Sequence, residues 1–311
     1  MVKRRLVETP VLAALAGAFC IAFSGILFRV SHVSPSTGAF FRCLWALPLL
    51  WLLAHREDGH YGPRSQRARL LAAVAGAFFA VDLVAWHHAV EEVGAGLATV
   101  LGNLQVVLVA PIAWLLFKER LHGRTLVAIP ISLAGVVLIS GAIGSGAYGR
   151  NPGLGVAYGI VTALAYAGFL LTLRRGSADL RRVAGPLADA TAVSALGAAL
   201  FGVAFGELDL TPSLDAQGWL VLLALSSQVL GWLVIAVSLP RLPAALTSVL
   251  LTLQPVLSVL FAAAILGEAP SSLQLVGVAA VLAGLLIVSS RRRSSARVPG
   301  RIGTEPAQSA S

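Results

Sequence analysis

Long apolar runs separated by short polar links dominate the chain. Each run is about 17 to 24 residues long, which as a helix covers the roughly 30 Å hydrocarbon core of a bilayer. The runs lack the alternating pattern of barrel strands, and a bilayer offers no water to unpaired backbone groups, so we expect helices. The predicted fold class is an all-α polytopic membrane protein with ten transmembrane helices. They are placed near residues 10–29, 35–54, 70–89, 96–117, 125–143, 153–173, 184–206, 217–239, 244–266 and 272–289.

A repeat divides these runs into two halves. The stretch from Val100 to Ser140 returns in altered form 149 positions later. Gln105 reappears as Gln254, and Glu119 reappears as Glu268. A constant offset through two apolar runs and their polar link indicates duplication of about half the chain. Because each copy holds five runs, an odd number, the second copy must enter the membrane in the opposite orientation. The predicted domains are inverted five-helix repeats at residues 10–143 and 153–289, followed by a disordered cytoplasmic tail at 290–311.

Composition and charge support the membrane interpretation. Hydrophobic residues make up 57% of the chain and charged residues 12%, whereas a soluble domain is about 25% charged. With the N-terminus inside, 20 of the 23 basic residues fall in cytoplasmic segments, as the positive-inside rule requires. The arginine- and alanine-rich composition is typical of a GC-rich bacterium, so we expect the cytoplasmic (inner) membrane, with both termini in the cytoplasm. The net charge of +9 therefore reflects topology, and no nucleic-acid partner is expected.

Three stretches resemble a known family: Ala80–His87, Ala98–Gln105 and Phe117–Leu121. Together they resemble the EamA branch of the drug/metabolite transporter superfamily, and the resemblance covers residues 10–289. It implies a secondary active transporter that works by alternating access. The implied activity is export of a small metabolite, an amino acid or a similar amphipathic solute, coupled to protons or driven by exchange. A uniporter or channel-like facilitator is the alternative, and an intramembrane enzyme, for which no catalytic motif is found, is a weaker one.

One position departs from the family pattern. The family usually carries a proline where this chain has Val106, whereas the second copy keeps its proline as Pro255. Another proline, Pro111, lies five residues further along the fourth run. We therefore expect the fourth helix to bend later than its counterpart in the second half.

Ionisable groups inside the apolar runs carry the functional argument, because they are costly in hydrocarbon and usually face a cavity or a partner. Asp82 lies midway along the third run, and Trp86 follows one helical turn later on the same face. Asp82 could bind a cationic or aromatic substrate, titrate as a proton-coupling acid, or pair with Arg42 to hold helices together. His87 is interpreted either as a proton relay or as an interfacial hydrogen-bonding group.

Neutral polar residues form a second group of candidates. The 149-residue offset relates two polar residues of the fourth run, Thr99 and Asn103, to Ser248 and Thr252 in the ninth. Such stripes would line a central cavity or join helices by hydrogen bonds. The predicted substrate site comprises Asp82, Trp86, Thr99, Asn103, Gln105, Tyr166, Gln228, Trp232, Ser248, Thr252 and Gln254, with Arg42, Asp82 and His87 for coupling or helix pairing. The expected partners are a small-molecule substrate and the lipid bilayer, a homodimer is left open, and no catalytic residue, cofactor or metal is expected.

Overall fold

The computed structural model describes residues 10–117, 123–176, 181–238 and 244–289. All regular structure in these ranges is helical, which confirms the all-α part of the predicted fold class. The helices are α1 Pro10–Ala22, α2 Ser24–Ser31, α3 Pro35–Tyr61, α4 Gln66–Val93, α5 Ala95–Gly102, α6 Gln105–Phe117, α7 Gly123–Ile139, α8 Pro152–Gly176, α9 Ala184–Phe205, α10 Leu214–Leu223, a π-helix Ala224–Gly231, α11 Trp232–Ser238, α12 Ala244–Leu266 and α13 Ser272–Ser289.

Many of these helices are long and apolar enough to cross a membrane. Six segments within the described ranges meet that requirement: Val11–Ser31, Pro35–Tyr61, Gln66–Val93, Pro152–Leu173, Ala184–Phe205 and Leu214–Val237. Four shorter apolar helices accompany them: Ala95–Leu108, Gly123–Ile139, Leu253–Leu266 and Ser272–Val288. The protein is therefore a multi-pass membrane protein. Ten spans would require both sets to cross, and that number stays a prediction.

The helix starts follow the offset found in the sequence. Helices α3 and α9 begin at Pro35 and Ala184, which are 149 residues apart. The same separation relates the starts of α5 and α12 and the starts of α7 and α13. Equivalent positions in the two halves therefore occupy equivalent places in their helices.

Small residues let the helices of the two halves approach closely. A Cβ placed on Gly155 of α8 would lie 2.6 Å from the Cβ of Val93 in α4. One placed on Gly159 would lie 2.6 Å from the Cβ of Leu101 in α5. Backbones can approach this closely only where side chains are absent. The glycine pair thus sets α8 against α4 and α5.

The fourth predicted span is broken at Asn103 and Leu104, between α5 and α6. The backbone N–H of Asn103 donates to the carbonyl of Thr99 at 3.2 Å, and its side-chain Nδ2 donates to the same carbonyl at 2.8 Å. The N–H of Leu104 turns to the carbonyl of Leu101, three residues back. The prediction of a later bend is wrong, because the asparagine side chain competes for the helix carbonyl and needs no proline. Pro111 lies inside the continuous helix α6.

Candidate functional site

A buried arginine organises the polar interior of the bundle. Arg42 of α3 is 4% exposed, and a charge held this deep requires partners. Its Nε donates to Gln228 Oε1 at 3.1 Å, and its NH1 donates to Ser24 Oγ at 2.9 Å. Gln228 Nε2 in turn donates to Thr191 Oγ1 at 3.1 Å. These four side chains, here called the Arg42 network, fix the guanidinium between α2, α3, α9 and the π-helix.

Local irregularities of the backbone place two members of the network. Gln228 lies in the π-helix Ala224–Gly231, a rare form that is often found at functional sites. Ser24 begins α2, directly after the interruption that separates α2 from α1. Arg42 itself is seven residues into α3, or about 10 Å along the helix axis from its start. The network therefore lies well inside the bundle rather than at its ends.

Asp82 of α4 provides a carboxylate in the same region. It is 6% exposed and interacts electrostatically with Arg42 and with Tyr166 of α8. Among the described residues it forms no direct ion pair, so the direct Arg42–Asp82 pair, one of the three alternatives for Asp82, is not formed there. Arg42 does join helices, but through the neutral partners Gln228 and Ser24.

Aromatic rings flank these charges. The Arg42 guanidinium lies over the Trp86 ring at 5.8 Å from its centroid. Tyr166 contacts Trp232 edge to face, with centroids 6.0 Å apart. Because Tyr166 also interacts with Asp82, it connects the charged region to Trp232. The structure therefore brings together Asp82, Trp86, Tyr166, Gln228 and Trp232 from the predicted site, with Arg42 among them.

Two of the polar residues predicted on the fourth span form hydrogen bonds within their own helix, unlike those of the Arg42 network. Thr99, Asn103 and Gln105 are buried. Thr99 Oγ1 donates to the Ala95 carbonyl at 2.8 Å, and Asn103 Nδ2 donates to the Thr99 carbonyl. Both of these side-chain donors thus bond to their own helix.

The matching stripe on the ninth span is described only in part. The side chains of Ser248 and Thr252 lie outside the described residues. Gln254 is half-buried. The facing of the two stripes accordingly stays a prediction.

His87 packs inside the bundle rather than at an interface. It is fully buried, and its Nδ1 lies 2.7 Å from the Leu83 carbonyl of the same helix. Its ring meets Phe28 of α2 edge to face at 4.2 Å. Within the described part of the chain, Nε2 has no hydrogen-bond partner. His87 is therefore buried rather than interfacial, and its role in coupling or helix pairing stays a prediction.

Comparisons with known proteins identify the family of this chain. The family model for the EamA-like transporter family matches residues 9–141 and 153–290. The chain belongs to this family. It is 26% identical over 287 residues to an uncharacterized transporter, YxxF, of Bacillus subtilis (strain 168), and the match covers 89% of each chain. The predicted resemblance is therefore confirmed, and the protein is a membrane transporter.

A solved crystal structure of a protein shares the fold of this EamA-like transporter. The two agree with a TM-score of 0.60 at 17% sequence identity, over 90% of this chain and 98% of the other. At that identity the likeness concerns the fold alone. The site must be argued from the residues of this chain.

Polar groups that the sequence analysis did not select gather at one end of this EamA-like bundle, here called the vestibule end. The links 32–34, 140–151, 206–213 and 267–271 lie there. Two cavities of about 690 and 630 Å³ open at this end and share Arg29, Glu91 and Tyr148 as lining residues. Arg150 pairs with Glu92. Burial raises the pKa of the Tyr148 phenol.

Within the described ranges, no group of three or more acidic, histidine or cysteine side chains could hold a metal.

At the end of the bundle opposite the vestibule end, ion pairs and a helix cap connect the helices. Arg64 donates hydrogen bonds to both carboxylate oxygens of Asp189, at 2.7 and 3.2 Å. Glu57 accepts the backbone N–H groups of Val183, Ala184 and Gly185 at the start of α9. A carboxylate is favoured at a helix N-terminus. The bonds of Glu57 join α3 to α9, and those of Arg64 join the link 62–65 to α9. Helices α3 and α9 begin 149 residues apart and are thus equivalent by the sequence offset.

The sequence gave little indication that Ser24 and Thr191 belong to the Arg42 network. Both are small hydroxyl residues in apolar runs, where such residues are common, and only the contact with Gln228 or Arg42 distinguishes them. Arg42 itself was the available signal, because a buried guanidinium needs acceptors. Which residues supply those acceptors depends on how α2, α9 and the π-helix pack, and a single sequence does not specify that packing.

Proposed function

We propose that this protein is a secondary active transporter of ten spans, arranged as two inverted five-helix repeats that alternate access to a site at the Arg42 network. It carries a small amphipathic metabolite out of the cell across the cytoplasmic membrane, coupled to protons or driven by exchange. Both termini are cytoplasmic, and the vestibule end faces outward. The observation that carries the proposal is a buried arginine and a buried aspartate held apart, deep in the bundle, beside aromatic rings.

Contacts between α7 and α13 support the inverted repeat. A Cβ on Gly135 of α7 would lie 2.9 Å from Val281 Cγ2 of α13. A Cβ on Gly284 of α13 would overlap Ser132 Oγ of α7. The 149-residue offset exchanges Gly135 with Gly284 and Ser132 with Val281, so each contact is the image of the other. Reciprocal contacts of this kind are what a two-fold axis produces.

The same offset supports a site close to that axis. Arg42 and Thr191 are equivalent residues of the two halves, and both are hydrogen-bonded to Gln228. A residue bonded to both members of an equivalent pair lies near their symmetry axis. Carriers built from inverted repeats bind their solutes at the repeat interface near the midplane. This position supports alternating access to the Arg42 network.

The chemistry of the site supports a zwitterionic or similar amphipathic solute. Arg42 would hold a carboxylate of the solute, for which a guanidinium is well suited. Asp82 would hold its ammonium group, and Trp86 and Tyr166 would contact its apolar part. An amino acid meets all three requirements. Asp82 is also the buried acid best placed to bind a coupling proton.

Counterflow in liposomes tests this function. Purified protein is reconstituted and loaded with single unlabelled amino acids, and uptake of the labelled compound is followed with and without a proton gradient. Saturable counterflow identifies a carrier, whereas flux that does not saturate would indicate the channel-like alternative. Asp82→Asn keeps the shape but cannot ionise, and the exposed Asp215→Asn is the matched control.

The two roles of Asp82 predict different results. If Asp82 carries the proton, Asp82→Asn loses accumulation driven by the gradient but retains exchange. If Asp82 binds the solute, both activities are lost. Transport equal to that of the parent between about pH 6 and about pH 8 would remove Asp82 from the site. Asp215→Asn should transport like the parent throughout.

A further inference from the structure

Two side chains of opposite charge line both cavities of the vestibule end. Arg29 of α2 is exposed and Glu91 of α4 is half-buried. Each of them lines the cavity of about 690 Å³ and the cavity of about 630 Å³. Arg29 acts electrostatically on Glu91, so the two charges lie close enough to influence one another. Within the described ranges, no hydrogen bond or ion pair joins their side chains.

The other acids around these cavities are engaged by contacts within the protein. Glu92 forms an ion pair with Arg150. Glu268 accepts the two backbone N–H groups that begin α5, at 2.6 and 3.1 Å. Glu207 accepts a hydrogen bond from Ser36 Oγ at 2.7 Å and lies 3.4 Å from a histidine nitrogen of α4. Three of the four acids at this end therefore already have close polar partners.

Arg29 and Glu91 have the most capacity left for a ligand. Among the residues that the structure describes, the Arg29 guanidinium forms no hydrogen bond and no ion pair. Glu91 has one loose contact, in which its Oε2 lies 3.9 Å from Arg150 NH2. That nitrogen also pairs with Glu92. A cation and an acid are thus left beside the same cavities with little to hold them.

The remaining lining suits a small organic solute. Tyr148 lines both cavities, and its ring can contact an ammonium group or an apolar stem. His32 lines the second cavity, where its ring can donate or accept a hydrogen bond. Both cavities fall within the range of about 300 to 1,000 Å³ that is usual for small-molecule sites. A guanidinium, a carboxylate and an aromatic ring are the same three groups that meet at the Arg42 network.

We propose that Arg29 and Glu91 form an outer subsite for a zwitterionic solute, in which Arg29 binds the carboxylate, Glu91 binds the ammonium group and Tyr148 contacts the apolar part. The proposal rests on the transporter function proposed above, and it gives a solute that leaves the Arg42 network a second site before the outer solution. Glu91 follows Asp82 by nine residues in α4, or about 13.5 Å along the helix axis. This distance is far greater than the separation of the two charges of an α-amino acid, so the two sites hold separate molecules.

Protection of a cysteine from a membrane-impermeant maleimide tests the subsite. Ala269 is exposed and lines the larger cavity together with Arg29 and Glu91. The parent for this test carries Ala269→Cys, lacks Cys20 and Cys43, and is held in lipid nanodiscs. Its labelling rate is measured against the concentration of an equimolar mixture of alanine, threonine, leucine and phenylalanine. The mixture should slow labelling, and the concentration that halves the rate is the quantity compared.

Two matched mixtures test each charge of the solute. The N-acetyl derivatives of the same amino acids lack the ammonium group, and their amides lack the carboxylate. Each should need about tenfold more to protect the cysteine, because each loses a hydrogen bond between charged groups. Protection by all three mixtures at equal concentration, or by none of them, would overturn the proposal.

Variants of the two side chains assign the preferences. Arg29→Gln should remove the advantage of the amino acids over their amides, and Glu91→Gln should remove their advantage over the N-acetyl derivatives. Either variant decides the matter if the other does not fold. Asp209→Asn changes an exposed acid at the same end and should behave like the parent.

An unchanged preference in either folded variant would overturn the subsite. Protection that arose at the Arg42 network through a change of shape would give this result, because both preferences would then survive. Labelling requires no turnover. The subsite can therefore be absent while counterflow succeeds, and it can be present while counterflow fails.

Discussion

The ion pair between Arg64 and Asp189 offers a sharp test of which charges assemble the protein and which serve transport. The Arg64 side chain is 9% exposed and that of Asp189 20% exposed. Both carboxylate oxygens are engaged, at 2.7 and 3.2 Å, which is the strong two-pronged arrangement of arginine with a carboxylate. In Asp189→Asn the shape stays but the charge is lost. Among the residues that the structure describes, the acidic partner that Arg64 then retains is Asp58, whose carboxylate lies 3.8 Å from its Nε.

The expected loss follows from the burial of the pair. Unit charges about 4 Å apart attract by about 4 kcal/mol at an effective dielectric constant of about 20. Removing one partner of a fully buried pair costs about 3 to 5 kcal/mol. Because Asp189 keeps some contact with solvent, we expect Asp189→Asn to lower the free energy of unfolding by about 2 to 3 kcal/mol. Transport per folded molecule should be unchanged, since neither residue contacts the Arg42 network.

Equilibrium unfolding in mixed detergent micelles, followed by tryptophan fluorescence, measures this loss. A double-mutant cycle with Arg64→Met and Asp189→Leu isolates the coupling between the two side chains from their separate effects. We expect a coupling energy of about 1.5 to 3 kcal/mol. A coupling below about 0.5 kcal/mol would mean that the pair is no stronger than an ordinary surface ion pair. Unchanged stability together with lost transport would move Asp189 into the transport mechanism and refute the assignment made here.

Three other predictions concern topology, the helix break and helix packing. Single cysteines at Asp209 and Gly176, in a background without other cysteines, should react with a membrane-impermeant maleimide from opposite sides, and labelling of both from the periplasm would contradict the ten-span arrangement. Asn103→Leu removes the side-chain bond that breaks the fourth span, so it should block counterflow while the protein still inserts; normal counterflow would return Asn103 to a packing role. Gly159→Val forces apart α8 and α5 and should lower stability by about 1 to 3 kcal/mol. Gly218→Ala, inside α10 with nothing within 4 Å, should not lower stability and should raise it by up to about 1 kcal/mol in the same unfolding assay.

Hydropathy alone was enough to predict the helical class and most of the segment positions. The polar residues at the centre could also be predicted. Burying Arg42, Asp82 or Gln228 in hydrocarbon costs free energy, so each of them needs a polar partner or a cavity. What each of them contacts could not be predicted. Pairing of Arg42 with Asp82 was one of three alternatives, whereas the structure bonds Arg42 to Gln228 of the π-helix. No local signal in Ala224–Gly231 distinguishes this helix from an α-helix.

The break in the fourth span shows a second limit. Proline was the signal available in the sequence, and it pointed to Pro111. The observed break depends on one amide hydrogen bond from Asn103 to its own helix, a choice that asparagine makes only where packing permits it. The bonds from Ala95 and Gly96 to Glu268 were visible in the sequence only as a repeated glutamate, because they join distant parts of the chain.

The close packing of α8 has a mechanical consequence. Its glycines are locked against α4 and α5, and the chain just before it is held by a backbone bond from Asn151 to Glu92. The next helix, α9, is pressed against α4 in the same way, through Gly197. The first two helices of the second half are therefore fastened to the first half. The bodies that move past each other during a transport cycle should then be mosaics of both gene copies, and the duplicated unit should not itself be the moving part.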